Sequence, residues 1–141
     1  MIIKQLSIFI ENKSGRLTEV TEALAEAGIN MTAFSVADTA DYGILRVIVN
    51  KPEEAEKILK EREFSVHITD VVGLVVPHES GGLHRALKIL SSEGIAIEYM
   101  YAFALSDKAT VIIRTDAIEQ TIEVLEKYKM ELLKANDIYE I

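Results

Sequence analysis

Polar and glycine residues cluster at two points of the sequence, each between an apolar segment and a helix-like one. The first cluster begins at Asn12 and the second at His78. A helix N-terminus after a glycine-bearing turn presents free backbone N–H groups and the positive end of the helix dipole, which suits a carboxylate. An asparagine side chain adds a donor and an acceptor, which together suit a molecule carrying an amine and a carboxylate. These junctions are therefore candidate sites for a small zwitterion.

The candidate ligand-binding residues at the two junctions form two short runs. They are Asn12, Lys13, Ser14, Gly15, Arg16 and Leu17 in the first, and His78, Glu79, Ser80, Gly81, Gly82 and Leu83 in the second. The alternative interpretation is purely structural. In that interpretation Asn12 and Ser14 only cap the helix, and Gly15 only makes the turn.

Residue types needed for catalysis or metal binding do not gather in a comparable pattern. The histidines are His67, His78 and His84, and no Asp, Glu or His accompanies them at metal-ligand spacing. Arg16 beside Gly15 is reminiscent of a phosphatase anion loop, but the second junction has glycine at the matching position. The sequence predicts no catalytic residue, no metal site and no cofactor. A small-molecule enzyme remains a rival hypothesis, which would require a well-placed general base.

Composition restricts the classes of partner and compartment. The formal net charge is −8 and no cluster of Lys and Arg occurs, which disfavours nucleic acid, whose binding relies on basic residues. There is no cysteine, so disulfides and thiolate sites are excluded. The longest apolar run, from Val71 to Val76, is far below the roughly 18 residues of a membrane helix. The N-terminus does not resemble a signal peptide, and we expect a cytoplasmic protein without membrane contact.

The sequence repeats itself at an offset of 66 residues without a gap. The segment from Ile10 to Leu17 falls on that from Val76 to Leu83, and Gly28-Ile29 falls on Gly94-Ile95. A repeat of this size is a compact unit rather than a solenoid rung of about 20–50 residues. We therefore predict two domains of one fold, at residues 1–69 and 70–141.

Periodicity predicts the order of elements within each repeat. Alternating apolar residues from Ile3 to Ile10 indicate a strand, and an i, i+3, i+7 stripe from Leu17 to Ala27 indicates an amphipathic helix. The remaining predicted elements are strands at 30–38, 43–49 and 64–69 and a helix that begins near Pro52. In the second half they are strands at 70–76, 96–105, 109–115 and 131–135, with helices at 83–93 and 117–129.

The resulting order, βαββαβ in each half, defines the fold class. We predict an α+β protein of two ferredoxin-like domains, each an antiparallel four-stranded sheet with two helices on one face. No linker rich in Gly, Pro or Ser separates them, so the last strand of the first unit is expected to run directly into the first strand of the second. Because this topology hosts many functions, the fold alone does not decide the function.

The two junctions, together with the fold, resemble the ACT domain, and the resemblance covers both halves. The first half has an apolar strand, then Asn12-Lys13-Ser14-Gly15-Arg16-Leu17, then Gly28-Ile29-Asn30-Met31, similar to the ACT pattern N-x-x-G-x-L and G-[IV]-N-[IV]. ACT domains bind small molecules, usually amino acids, and report them to an enzyme or transporter. In the serine-sensing domain of phosphoglycerate dehydrogenase, the two asparagines of this pattern grip the ligand across a domain interface. The resemblance thus adds Asn30 and Met31 to the ligand-binding residues.

The second half departs from that pattern. His78 stands at the position of Asn12, and Ala96 at that of Asn30. We therefore expect two sites that bind unequally, or a vestigial second site.

The resemblance implies a free-standing, non-enzymatic sensor that binds an amino acid and regulates a separate target in amino-acid metabolism. The alternative is a ligand-free protein-interaction module that uses the open sheet face. Alternation along the strands places apolar residues on that face, which favours a homodimer because large apolar faces rarely stay in water. The residues expected there are Phe9, Ile44, Arg46 and Ile48 in the first half and Val71, Val75 and Ile112 in the second.

Overall fold

The structure, a computed structural model, describes residues 1–11, 13–38 and 41–139, without the side chains of Asp38 and Leu105. The described residues group into two compact units. The N-terminal unit comprises Lys4–Thr69 with Ile138 and Tyr139, and the C-terminal unit comprises Met1–Ile3 with Asp70–Asp137. Each unit thus takes in a short terminal segment from the other half of the sequence.

The N-terminal unit has the predicted βαββαβ order. Its elements are β1 (Ile2–Glu11), α1 (Arg16–Glu26), β2 (Met31–Asp38), β3 (Tyr42–Val49), α2 (Pro52–Glu61) and the first part of β4 (Ser65–Pro77). The strand order is β2-β3-β1-β4, and β3 pairs antiparallel with both β1 and β2. The strands predicted at 64–69 and 70–76 are one continuous strand, β4, as the absence of a linker indicated.

The C-terminal unit repeats this arrangement. After β4 follow α3 (Gly82–Ser92), β5 (Ile97–Leu105), β6 (Lys108–Thr115), α4 (Ile118–Lys127), β7 (Glu131–Leu132) and α5 (Ala135–Tyr139). The strand order is β5-β6-β4-β7, with antiparallel pairs throughout. The last strand is shorter than predicted, and α5 was not predicted.

Each unit has one helix–sheet core, so both helices pack on one sheet face and the predicted fold class is confirmed. In the N-terminal unit Val20 and Leu24 of α1 and Leu59 of α2 pack on alternate residues of β1 and β3. In the C-terminal unit the corresponding residues come from α3, α4, β4 and β6: Ala86, Leu90, Val124, Leu125, Val72, Leu74, Val76, Val111 and Ile113. This packing fixes the position of each helix against its sheet. It thereby also fixes where the loop before each helix ends.

The opposite sheet faces are less open than the sequence predicted. Ile48, Val71 and Ile112 are each 0% exposed, so the expectation that they face water or a second chain is wrong. In the C-terminal unit the physical reason is visible at Gly73, which pairs with Ile112 and therefore shares its face. A Cβ on Gly73 would lie 3.0 Å from both Ile3 and Leu133, so residues from both ends of the chain cover that face.

The other residues expected on the open face remain at least partly exposed. Phe9 is 39% exposed, and Ile44, Arg46 and Val75 are half-buried. Among the described residues, no helix has the length and apolar character needed to cross a bilayer.

Candidate ligand-binding loops

The loop between β1 and α1, which we call the first loop, is held by its own backbone. The amide of Lys13 donates to the Glu11 carbonyl (2.8 Å), that of Arg16 to the Lys13 carbonyl (3.5 Å), and that of Glu19 to the Gly15 carbonyl (3.0 Å). The last of these is the first hydrogen bond of the helix. Asn12, the residue on which the sequence analysis relied most, lies outside the described residues.

The loop between β4 and α3, the second loop, has the same hydrogen bonds 66 residues later. The amide of Glu79 donates to the Pro77 carbonyl (2.9 Å), that of Gly82 to the Glu79 carbonyl (3.1 Å), and that of Arg85 to the Gly81 carbonyl (3.1 Å). The two loops therefore share one backbone arrangement although their side chains differ.

Glycine is needed at the helix N-cap of each loop. Gly15 has φ 92° and Gly81 has φ 85°, in the left-handed region that favours glycine. Because glycine has no side chain, neither N-cap residue can cap its helix with a side-chain hydrogen bond. The N-cap of α1 is Gly15, so the interpretation of Ser14 as the N-cap residue is wrong.

Amide groups at the start of α3 are available to a ligand. No acceptor within the described part of the chain meets the N–H groups of Leu83 and His84, in the first turn of α3. The first amides of any helix lack an intrahelical partner, and they carry the positive end of the helix dipole. A carboxylate placed at this point would satisfy both amides.

A cleft of about 340 Å³ lies beside the second loop. His78, Glu79 and Leu83 line it, so the structure brings three of the six candidate residues of this loop together around one space. Residues with apolar side chains form the rest of the wall. The other lining residues are Val76 and Pro77 of β4, Ala102, Phe103 and Ala104 of β5, and Ala109 and Val111 of β6.

A smaller cleft of about 220 Å³ lies beside the first loop, on the side of β4. Of the described residues in the candidate run, Arg16 alone lines it, together with Glu11 and Phe64. The Arg16 guanidinium lies 4.3 Å from the centroid of the Phe64 ring and 2.6 Å from a carboxylate oxygen of Glu19. Its Nε is buried and has no hydrogen-bond partner among the residues that the structure describes. Lys13, Ser14 and Gly15 are exposed.

The structure does not bring Asn30 to the first loop within the unit. Asn30 follows the C-terminal end of α1, whereas the loop precedes its N-terminal end, and an 11-residue helix is roughly 16 Å long. The Asn30 amide donates to the side chain of Asn50 (3.1 Å), and its carbonyl accepts from the Asn50 amide (3.2 Å). Met31 packs against the helix–sheet core.

Sequence reasoning missed the contribution of β5 to the second cleft. Ala102 and Ala104 pair in register with Val111 and Ala109, so their side chains share the helix-facing side of the sheet. Their signal in the sequence was weak, since two alanines in a strand resemble any small core residue. Among the described residues, no group of three His, Cys, Asp or Glu side chains has a metal-binding arrangement.

Comparison with known proteins agrees with this architecture. The family model described as "ACT domain pair" matches residues 1–141. The crystal structure of a protein from Bacteroides thetaiotaomicron is 53% identical, with a TM-score of 0.97 over 100% of this chain and 98% of that chain. No curated protein sequence matches the chain significantly.

Two more distant structures share the fold. The ligand-free regulatory subunit of aspartate kinase from Thermus thermophilus is 17% identical, with a TM-score of 0.63 over 88% of this chain and 90% of that chain. The corresponding subunit from Thermus flavus is 16% identical, with a TM-score of 0.61 over 89% and 92%.

Proposed function

This chain belongs to the ACT-domain-pair family, and on that premise we propose that it is a regulatory protein that binds an amino acid and acts on a separate target in amino-acid metabolism. The candidate binding sites are the two strand–loop–helix junctions, Asn12–Leu17 and His78–Leu83. The protein itself is not an enzyme in this proposal, and its target is an enzyme carried on another chain. The cytoplasm remains the location that the sequence predicts.

The observation that carries this proposal is the cleft beside the second loop. A space of about 340 Å³ suits a small molecule, since ligand pockets begin at about 300 Å³. The free amides of Leu83 and His84 offer a place for a carboxylate, and Glu79 offers one for an ammonium group. The combination supports a zwitterionic ligand.

A thermal-shift screen of the full chain against the twenty amino acids tests the proposal. A ligand that binds only the folded protein raises stability by about 2.7 kcal/mol at 100 times its Kd, which is several degrees in Tm. The matched variants are Asn12→Ala and His78→Ala, which occupy the same position in the two loops. We expect at least one of them to weaken binding by tenfold or more while retaining the fold.

Two results would contradict the proposal in different ways. If all twenty amino acids leave Tm unchanged, the chain is not an amino-acid sensor. If an amino acid binds but both variants keep its Kd within twofold, the function stands and the loops are the wrong site.

Homodimer formation is part of the same proposal, and exposed apolar residues support it. Phe34 is 60% exposed and Val36 is 53% exposed, on the helix-facing side of β2 at the edge of the sheet. Exposed apolar patches of this kind often mark protein interfaces. Light scattering should give a dimer mass that Phe34→Glu shifts toward monomer, whereas Tyr128→Glu, at another exposed residue, should leave it unchanged.

The same exposure favours a second candidate function, a protein-interaction module that binds no ligand. If the protein is a dimer by light scattering and none of the twenty amino acids changes its Tm, the interaction module is favoured over the sensor.

A further inference from the structure

Arg16, at the point where the first loop meets α1, contacts side chains from three different segments of the N-terminal unit. The Arg16 guanidinium stacks on Phe64, which follows α2, and pairs with Glu19 of α1. It also lies 4.0 Å from a carboxylate oxygen of Glu11, the last residue of β1. Only 19% of the Arg16 side chain is exposed, so these contacts are partly shielded from water. We call this set of contacts the arginine latch.

The second loop lacks every member of the arginine latch. At the positions 66 residues later stand Gly82 for the arginine, Pro77 and Arg85 for the two glutamates, and Met130 for the phenylalanine. A side chain on Gly82 is excluded in any case, because a Cβ there would lie 2.4 Å from the Pro77 carbonyl oxygen. The two loops therefore share a pattern of backbone hydrogen bonds but not their side chains, and the first loop is latched whereas the second is unlatched.

The second cleft also owes its volume to small residues on β5. Ala102 and Ala104 face the same side of the sheet as the buried Val111. At the position that matches Ala102, the first half has Val36, a larger side chain. The second half therefore has the less bulky strand residue beside its loop.

The chemistry of the second cleft specifies the class of ligand. Leu83 and the alanines of β5 offer only carbon, so a ligand side chain that rests on them must be apolar to avoid losing its hydrogen bonds to water. The amides of Leu83 and His84 suit the carboxylate, and Glu79 suits the ammonium group. Glu79 pairs with Arg85 at 3.3 Å, but both side chains are more than half exposed, so this pair is weak and exchangeable.

We propose that each chain binds one amino acid with an apolar side chain in the second cleft, and that the latched first loop is a structural copy that binds none. This inference rests on the proposed sensor function. It keeps the sequence-based expectation of two unequal sites and rejects its alternative, a vestigial second site. The difference between the two loops gives one ligand per chain, and the space beside Ala102 selects the ligand's side chain.

Isothermal titration of the full chain tests both the number of sites and the ligand class. The probes are L-leucine, L-valine and L-methionine, with L-serine, L-aspartate and L-lysine as polar comparisons. We expect one site per chain and a Kd at least tenfold lower for the best apolar probe than for any polar one.

A matched pair of variants locates the site. Ala102→Leu fills the second cleft and should raise the Kd for L-leucine at least tenfold, whereas Val36→Leu, at the same position of the first half, should leave it within twofold. Because Ala102→Leu removes space without removing a polar contact, it should weaken L-leucine more than the smaller L-alanine. A general loss of folding would weaken both equally, and circular dichroism of the variant excludes it.

The possible failures separate this inference from the sensor function. Two sites per chain, tighter binding of a polar probe, or a loss of affinity in Val36→Leu but not in Ala102→Leu would overturn the inference and leave the sensor intact. Absence of heat and of any Tm shift with every amino acid would overturn both.

Discussion

Gly82→Ala is a sharp test of the second loop, because it adds a single methyl group at a defined place. Gly82 is the first residue of α3, and its Cβ would lie 2.4 Å from the Pro77 carbonyl oxygen. That distance is about 1 Å short of the 3.4 Å at which ordinary van der Waals contact begins. The atom that must move belongs to the backbone of a proline, so the strain cannot be relieved by turning a side chain.

The expected change in the free energy of unfolding combines two destabilising terms and one stabilising term. Overpacking of this kind costs about 1–3 kcal/mol. Displacing the Pro77 carbonyl also weakens its 2.9 Å hydrogen bond from the Glu79 amide, which is worth about 0.5–1.5 kcal/mol. Alanine is a better helix former than glycine by at most about 1 kcal/mol, so the steric terms win. We expect a net loss of about 1–3 kcal/mol in the free energy of unfolding.

Urea denaturation followed by circular dichroism measures this change, with a thermal melt as a second observable. A loss of this size corresponds to several degrees in Tm. Ser80→Ala is the control, since it alters an exposed residue of the same loop without adding atoms and should stay within about 0.5 kcal/mol of the parent. If Gly82→Ala is as stable as the parent or more so, the close approach of Pro77 and the account of the unlatched loop are wrong.

Three further substitutions test other parts of the structure, each by urea denaturation. Arg16→Ala removes the stacking on Phe64 and should cost about 1 kcal/mol, whereas Arg16→Lys should recover less than half of that because a lysine stacks poorly; equal stability of all three would contradict the arginine latch. Thr121→Val removes a buried hydrogen bond with the Thr115 hydroxyl (2.9 Å) and should cost about 1–3 kcal/mol. Changing both threonines to valine should cost less than the sum of the two single changes, and simple additivity would contradict this coupling. Ile138→Ala should cost about 2–5 kcal/mol because this side chain is 0% exposed, and a loss below 0.5 kcal/mol would refute the burial of Ile138.

Local sequence patterns predicted most of the fold because they report on backbone conformation within one or two turns. The apolar stripes of α1 and α3 and the left-handed glycines Gly15 and Gly81 depend only on near neighbours. The 66-residue repeat added the strongest signal, since it required both halves to adopt one order of elements. For the same reason the position of both loops could be predicted without a structure.

The partners of the loop residues depended on distance in space rather than in sequence. Arg16 meets Phe64, 48 positions later, because the sheet places β4 beside β1. Asn30 was expected to meet the ligand across a domain or chain interface, and within its own unit the length of α1 separates it from the first loop. No short-range sequence pattern predicts the contact of Arg16 with Phe64 or the separation of Asn30 from the first loop.

The sequence by itself determined the fold class, the duplication and the two loops, because these follow from periodicity and from the conformational freedom of glycine. Only the tertiary structure decided which loop is latched and which lies beside the larger, apolar cleft. Strand register places Ala102 and Ala104 beside the second loop, and the Pro77 carbonyl excludes any side chain from Gly82. The ends of the chain likewise cover Ile112 through contacts of Ile3 and Leu133 at Gly73. Such relations arise because close packing fixes distant residues against one another once the sheet has formed.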